Sequence, residues 1–185
     1  MSAKGTVLVV DDDPDIVDAY ETHLRGEYEV RTATDGRAAL SKLDGEVDVV
    51  LLDRRMPGLD GDDVLDRIGE RDLSSRVAMV TGVEPDVDVV DMGFDDYLCK
   101  PVSRAELLDL VESLFDRAEY DEQLRRYFSL VSKRAVLEAH GDDAVRETEE
   151  FSTLSERIDR LKGELDAKLS RFDGGDAFVA ALAGG

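Results

Sequence analysis

Short apolar runs alternate with amphipathic stretches through the first hundred residues, and each of four runs ends on a polar side chain of a particular kind. Val7-Leu8-Val9-Val10 ends on Asp11-Asp12, and Val47-Asp48-Val49-Val50-Leu51-Leu52 ends on Asp53. Val77-Ala78-Met79-Val80 ends on Thr81, and Tyr97-Leu98-Cys99 ends on Lys100-Pro101. Short β-branched runs spaced in this way predict buried parallel strands joined by helical crossovers. Strands are expected near residues 6–10, 28–33, 47–52, 76–80 and 96–99. Helices are expected at roughly 14–24, 36–43 and 60–69, with a short one near 86–92. Pro14 after Asp13, and Asp35 before Gly36, supply helix starts. The result is an α/β fold with a five-stranded, doubly wound parallel sheet, for which right-handed crossovers leave few topologies. Order 2-1-3-4-5 sets strands 1 and 3 side by side, which brings Asp11, Asp12 and Asp53 to one crevice at the carboxyl edge of the sheet.

Beyond Lys100-Pro101 the period changes. Ser103, with Glu106 three residues on, forms a capping box ahead of Leu107, Leu110, Val111, Leu114 and Phe115. That helix either runs unbroken through Leu124, Phe128, Val131 and Ala135 or bends near residues 119–122. Gly141-Asp142-Asp143 makes a turn. Phe151, Leu154, Ile158, Leu161 and Leu165 then recur at spacings of three and four, extending to Phe172, as in a short heptad seam. The expected organisation is a domain over 1–118, an α-helical hairpin or coiled-coil appendage over 119–173, and a flexible tail over 174–185 after Gly174-Gly175. A hairpin buries one face of each helix, so the remaining Leu, Phe and Tyr positions call for another surface, most simply a second copy of the chain in a homodimer.

Charge changes the picture more than size does. The 185 residues carry 44 acidic against 23 basic side chains, a formal net charge of −21, and only six of the basic residues are lysine. Such self-repulsion destabilises a small domain in dilute salt, but at molar salt the Debye length is about 3 Å and most of the penalty is screened. The Asp-rich, Lys-poor balance resembles that of halophilic proteins from salt-loaded cytoplasms. Cys99 is the single cysteine, which excludes an internal disulfide framework and reads as a small apolar filler of a buried strand. No run approaches the ~18–20 apolar residues of a membrane span, and the N-terminus lacks a signal-peptide pattern. A cytoplasmic protein with no membrane association is expected.

Three carboxylates at one crevice cannot all be ionised without compensation. At ~4 Å and an effective dielectric near 20, each pair repels by roughly 4 kcal/mol, so either protons or a cation must be held there. Mg²⁺ suits the site, because it takes one or two carboxylates plus water and substrate oxygens. Asp12 and Asp53 are the expected ligands, with Asp11 holding a metal-bound water or coordinating directly, and the Arg55 backbone carbonyl completing the set. Aspartates at strand ends are often mere helix caps, and Asp13 and Asp15 are read that way. A carboxylate beside Mg²⁺ can serve as a nucleophile toward phosphorus, while Lys100 and Thr81 would meet the oxygens of the transferring phosphoryl group.

These residues resemble the receiver domain of two-component response regulators through about residue 117. The resemblance rests on Val9-Val10-Asp11-Asp12, Leu52-Asp53 with Met56-Pro57-Gly58 and Asp60-Gly61, Thr81-Gly82, and Asp96-Tyr97-Leu98-Cys99-Lys100-Pro101. It implies a flavodoxin-like fold, Asp53 as phosphoacceptor, and Asp11 and Asp12 as the acidic pair for Mg²⁺. It further implies Lys100 as the lysine that contacts the phosphoryl group, Thr81 as the hydroxyl that shifts onto it, and Tyr97 as the aromatic that follows inward. The implied phosphodonor is a sensor histidine kinase. Such a domain promotes its own phosphorylation and dephosphorylation and is not an enzyme acting on a separate substrate. Residues 127–134, Tyr-Phe-Ser-Leu-Val-Ser-Lys-Arg, followed by Leu154, Ile158 and Leu161, resemble the HalX-type C-terminal segment of haloarchaeal response regulators.

Two departures stand out. Between Thr81 and Lys100 the chain is about one helical turn shorter than receivers usually are, leaving little room for a full fourth helix. Arg54-Arg55 sets two cations beside the site, either against the phosphoryl group or in salt bridges to acidic neighbours, the commoner use. The helical appendage supports two readings: a partner-binding or dimerising output governed by Asp53, or a DNA-binding transcriptional regulator. The basic stretch 123–137, with Arg125, Arg126, Lys133 and Arg134, supports the second. Against it, residues 119–185 hold 10 basic and 15 acidic residues, net −5, and salt weakens phosphate contacts steeply. Partner binding is the preferred reading.

Overall fold

Strand β1 (Thr6–Val10) is buried at all five positions and divides its side chains between two cores. Val7 and Val9 join one face of the sheet, and Leu8 and Val10 the other. That is the period of two expected of a strand covered on both sides. The structure, a computed structural model, describes residues 3–71, 73–140, 143–146 and 148–173. The remaining strands are β2 (Glu29–Ala33), β3 (Val49–Leu52), β4 (Arg76–Thr81) and β5 (Asp96–Cys99). All pair in parallel in the order β2-β1-β3-β4-β5.

Helices α1 (Pro14–Leu24), α2 (Gly36–Lys42), α3 (Gly61–Gly69) and α4 (Arg104–His140) follow four of the strands, and a 3₁₀ turn, Val87–Asp91, lies between β4 and β5. Asp13, Asp35 and Asp60 cap the first three helices, each side chain accepting a backbone N–H of the first turn. Ser103 and Glu106 exchange the two bonds of a capping box at the start of α4. Tyr20 and Leu24 of α1 pack with Leu107, Leu110, Val111 and Leu114 of α4 on one face of the sheet. Ala39 of α2 and Val64, Leu65 and Ile68 of α3 pack on the other. Leu107 and Leu114 are fully buried, and each such leucine contributes about 1.5–3 kcal/mol.

Contacts divide the chain into two compact units, Met1–Ala118 and Glu119–Gly185. α4 is helical throughout residues 119–122. In the second unit α5 (Asp143–Arg146) and α6 (Glu149–Asp173) follow. Lys168 of α6 pairs with Glu119 of α4 at 2.6 Å. Ile158 and Leu165, seven residues apart, are buried, as is Leu130 of α4. The expected turn at residues 141–142, the Phe172 side chain and the tail over 174–185 lie outside the described residues.

One expectation is corrected. Cys99 is exposed rather than a core filler. β5 is the edge of the sheet, paired only with β4, and none of its four residues is fully buried. The same shortness that the sequence registers between Thr81 and Lys100 leaves only the 3₁₀ turn ahead of that edge.

Candidate functional site

Register places the acids. Val10 of β1 pairs with Leu52 of β3, so Asp11 and Asp53, each one residue further, leave the sheet at the same level. The Asp53 amide donates to the Val10 carbonyl at 2.8 Å and fixes that step. Across β4, the Lys100 amide donates to the Thr81 carbonyl at 2.8 Å, which carries the lysine to the same edge. Gly61 is required behind the acids, because a Cβ there would strike the Asp53 carbonyl oxygen and the Arg54 backbone. Gly58 supplies the positive φ, +83°, of the loop that returns to α3.

Lys100 Nζ donates to Asp11 Oδ2 at 2.5 Å and to Asp53 Oδ1 at 3.2 Å. The second Asp11 oxygen accepts from the Asp13 amide at 3.0 Å, and the second Asp53 oxygen from the Arg55 amide at 3.1 Å. Asp11 and Asp53 are buried, whereas Asp12 is exposed. Burial pushes the Asp11 carboxyl above its ordinary value, although the Lys100 hydrogen bond opposes it. Burial also works against the Lys100 charge, but the two carboxylates outweigh it and hold the ammonium above its ordinary value. One carboxylate oxygen from each of Asp11, Asp12 and Asp53 lies within 4.8 Å of the others. This is a hard, all-oxygen donor set, buried on one side and open at Asp12, and a residual negative charge remains after Lys100 is counted. Those features fit a magnesium-sized dication. Arg55 meets the site through its amide, donated to Asp53.

Thr81 is buried, and its hydroxyl oxygen accepts from the Val83 amide at 3.3 Å. The Tyr97 hydroxyl donates to the Val83 carbonyl at 2.7 Å, and burial raises the phenol above its ordinary value. Neither hydroxyl has a hydrogen bond to Asp53 among the described residues. Both are engaged with one residue of the β4–β5 connection.

Arg54 is the functional candidate that sequence reasoning left undecided. It is 5% exposed, and its guanidinium donates to Asp62 at 3.0 and 3.2 Å and to Asp88 of the 3₁₀ turn. The hydrogen bonds it donates to Asp88 and Asp62 outweigh burial and raise its already high pKa. The sequence signals only an unusual cation after Asp53; partners eight and 34 positions away carry no local pattern.

A doubly wound parallel sheet with acids at the ends of strands 1 and 3, and a lysine opposite, defines a receiver-type site. The chain belongs to the response regulator receiver family, whose domain model matches residues 7–112, and its C-terminal part matches the HalX domain over residues 116–182. It is 48% identical over 169 residues to a Haloferax volcanii protein that bears the provisional name of transcriptional regulator. That match covers 91% of this chain and 29% of the relative, so the chain spans under a third of that protein's length. A Methanospirillum hungatei receiver domain of the CheY-like type superposes with a TM-score of 0.60 at 28% identity, covering 65% of this chain and 99% of that one. The Thermotoga maritima response regulator TrrA, solved in complex with Mg²⁺-BeF, superposes with a TM-score of 0.53 at 32% identity, covering 60% and 98%. No helix among the described residues is long and apolar enough to cross a membrane.

Proposed function

We propose that the chain is a two-component response regulator that accepts a phosphoryl group on Asp53 from a sensor histidine kinase. The observation that carries this reading is the bridge from Lys100 to both Asp11 and Asp53, with Asp12 within reach of the same point. Asp11, Asp12 and Asp53, with the Arg55 carbonyl, would hold Mg²⁺, which supplies neutralisation of the phosphoryl oxygens when bound. The Mg²⁺-BeF complex of the related TrrA supports that assignment. An Asp53 carboxylate oxygen attacks the phosphorus of a phosphohistidine. The P–O bond forms as the P–N bond breaks, and the imidazole nitrogen leaves with the electron pair and takes a proton from solvent. Lys100, already beside that oxygen, stabilises the charge on the phosphoryl group. The new group adds about −1.5 to −2 charges. It draws the Thr81 hydroxyl from the Val83 amide onto the phosphoryl oxygens, and Tyr97 follows inward. The connection after β4 then repacks as a two-state element.

The direct test is incubation with Mg²⁺ and acetyl phosphate, followed by intact-mass measurement of a base-labile adduct. Asp53→Asn is expected to abolish it; an adduct at another residue overturns the assignment.

The helical unit beginning at Glu119 is read as the output, binding a partner or a second copy. Phe128, Val136 and Leu169 remain exposed, and a homodimer would cover them. Sedimentation at molar salt is expected to give a dimer, and a monomer removes that part of the reading. One observation favours DNA instead. Arg126 of α4 and Arg157 and Arg160 of α6 line an open cleft of about 310 Å³ with Leu161 and Glu164. A mobility-shift assay at the same salt, with and without beryllofluoride, separates the two outputs.

A further inference from the structure

Helix α6 carries both signs of charge along one side. Glu150, Leu154, Arg157 and Leu161 follow at steps of four, three and four, so they share a stripe of the helix beside the buried seam of Ile158 and Leu165. Glu149 and Glu150, with Thr153, Leu154 and Arg157, line an open cleft of about 360 Å³ at its start. Arg157 also belongs to the neighbouring cleft, where Arg126 of α4 and Arg160 stand beside it. The chain has 44 acidic against 23 basic residues, so an arginine ordinarily finds a carboxylate. Yet among the described residues none of Arg126, Arg157, Arg160, Glu149 and Glu150 takes part in an ion pair. Leu154 and Leu161 are only half-buried. Val136 of α4, 59% exposed, stands within about a quarter-turn of Arg126 and adds apolar surface to the same side.

We propose that this side of α6 is the contact with a second copy of the chain, formed about a two-fold axis that crosses the helix between Thr153 and Leu154. Those residues lie midway between Glu150 and Arg157. Antiparallel α6 helices therefore set Glu150 of each copy against Arg157 of the other, and symmetry makes the contact twice. Leu154 meets its own counterpart near the axis. Apolar contact supplies the affinity, and the charges fix the orientation, because a parallel alignment would set acid on acid and arginine on arginine. Over the rest of its surface a chain of net charge −21 repels its copy, which favours the one side where opposite charges meet. Once covered, the pairs are screened by mobile ions far less than exposed ones are. The proposal rests on the reading of the helical unit as an output that binds a second copy, and names the surface used.

Charge exchange in the full chain tests it, with self-association read by sedimentation at molar salt. Glu150→Lys and Arg157→Glu each turn both attractions into repulsions, and each is expected to weaken the dimer by roughly tenfold or more. Mixed in equal amounts, with one of them fluorescently labelled, the two variants again oppose unlike charges at both contacts. Their mixed dimer is expected to form within about threefold of the parent affinity, and the doubly substituted chain to regain self-association to the same degree. A substitution that merely disturbs α6 is not repaired in either way. With a dimeric parent, three results overturn this surface and leave dimerisation standing: no weakening by either single substitution, weakening by Arg157→Glu alone, or weakening that persists in the mixture and in the double variant. A monomeric parent removes both the surface and the dimer, and leaves the assignment of Asp53 intact.

Discussion

Replacing Lys100 with alanine removes the one side-chain cation that touches both buried acids among the described residues. Asp11 is 2% exposed and Asp53 6%, and their oxygens lie 2.5 and 3.2 Å from Nζ. Breaking a buried ion pair by deleting one partner costs about 3–5 kcal/mol. The Lys100 side chain is 21% exposed, and Asp11, with its pKa already raised, can take up a proton and cap the loss. We therefore expect about 3 kcal/mol in the presence of a chelator, a fall of roughly 10–15 °C in Tm for a unit of this size. With saturating Mg²⁺ a dication supplies charge to the same oxygens, and the loss should shrink to about 1 kcal/mol. The two numbers close a cycle. The difference of ~2 kcal/mol has to reappear as Mg²⁺ bound about 30-fold more tightly by Lys100→Ala than by the parent chain. Thermal unfolding in chelator and in Mg²⁺, with calorimetric titration of Mg²⁺ into both proteins, measures every side. Equal destabilisation in the two conditions, with an unchanged Mg²⁺ affinity, would refute the claim that lysine and dication neutralise one shared set of oxygens.

Gly61→Ala should cost about 1–3 kcal/mol, because the atoms it meets are backbone of Asp53 and Arg54 and cannot swing away. It should also slow acetyl phosphate labelling, which intact-mass time courses would follow. Leu114→Ala should lower stability by about 3 kcal/mol in chemical denaturation, since Leu114 is fully buried between α4 and the sheet. Its labelling at temperatures well below Tm should match the parent chain. The Lys100 contribution should also depend on pH with a definite sign. Its pKa is raised in the folded state, so the stabilisation is fully present below the unfolded value near 10.5 and disappears as pH rises through the folded value. The stability gap between the parent chain and Lys100→Ala, measured by denaturation from pH 8 to 12, should stay flat through pH 10 and close above it.

The strands were readable because each central one is an unbroken apolar run, which is what burial on both faces demands. The site was readable for a related reason. Parallel strands end on one edge, so the residue after each run is placed by topology before any side chain is considered. Asp11, Asp53, Thr81 and Lys100 all follow that rule. Cys99 did not, because an apolar triplet looks the same whether its strand lies inside the sheet or at its edge. Nor could the pattern decide whether α4 bends near residue 119. Helical period continues through residues 119–122 and no glycine or proline interrupts it, so only the packing on either side could have imposed a break.

Arg54 and Val83 were hidden for another reason. Val83 meets Thr81 and Tyr97 through its backbone, which has no sequence identity, and Arg54 meets partners brought to it by two different connections. The acid-rich composition made both harder to see, because in a chain of net charge −21 nearly any arginine has a carboxylate within reach. Burial is what separates the pairs that specify the site from those that do not. Lys4 with Glu27 is a solvated pair, and Arg31 with Asp44 and Glu46 is open to solvent on its acidic side. Exposed pairs contribute about 0–1 kcal/mol and lose most of that at molar salt. Arg54 with Asp62, and Lys100 with Asp11 and Asp53, keep one or both partners under the protein surface, where mobile ions reach poorly. Raising salt should therefore erase the surface network first and leave the ionic contacts around Asp53. In so acidic a chain, concentrated salt relaxes the general repulsion while sparing the few attractions on which the proposed switch depends.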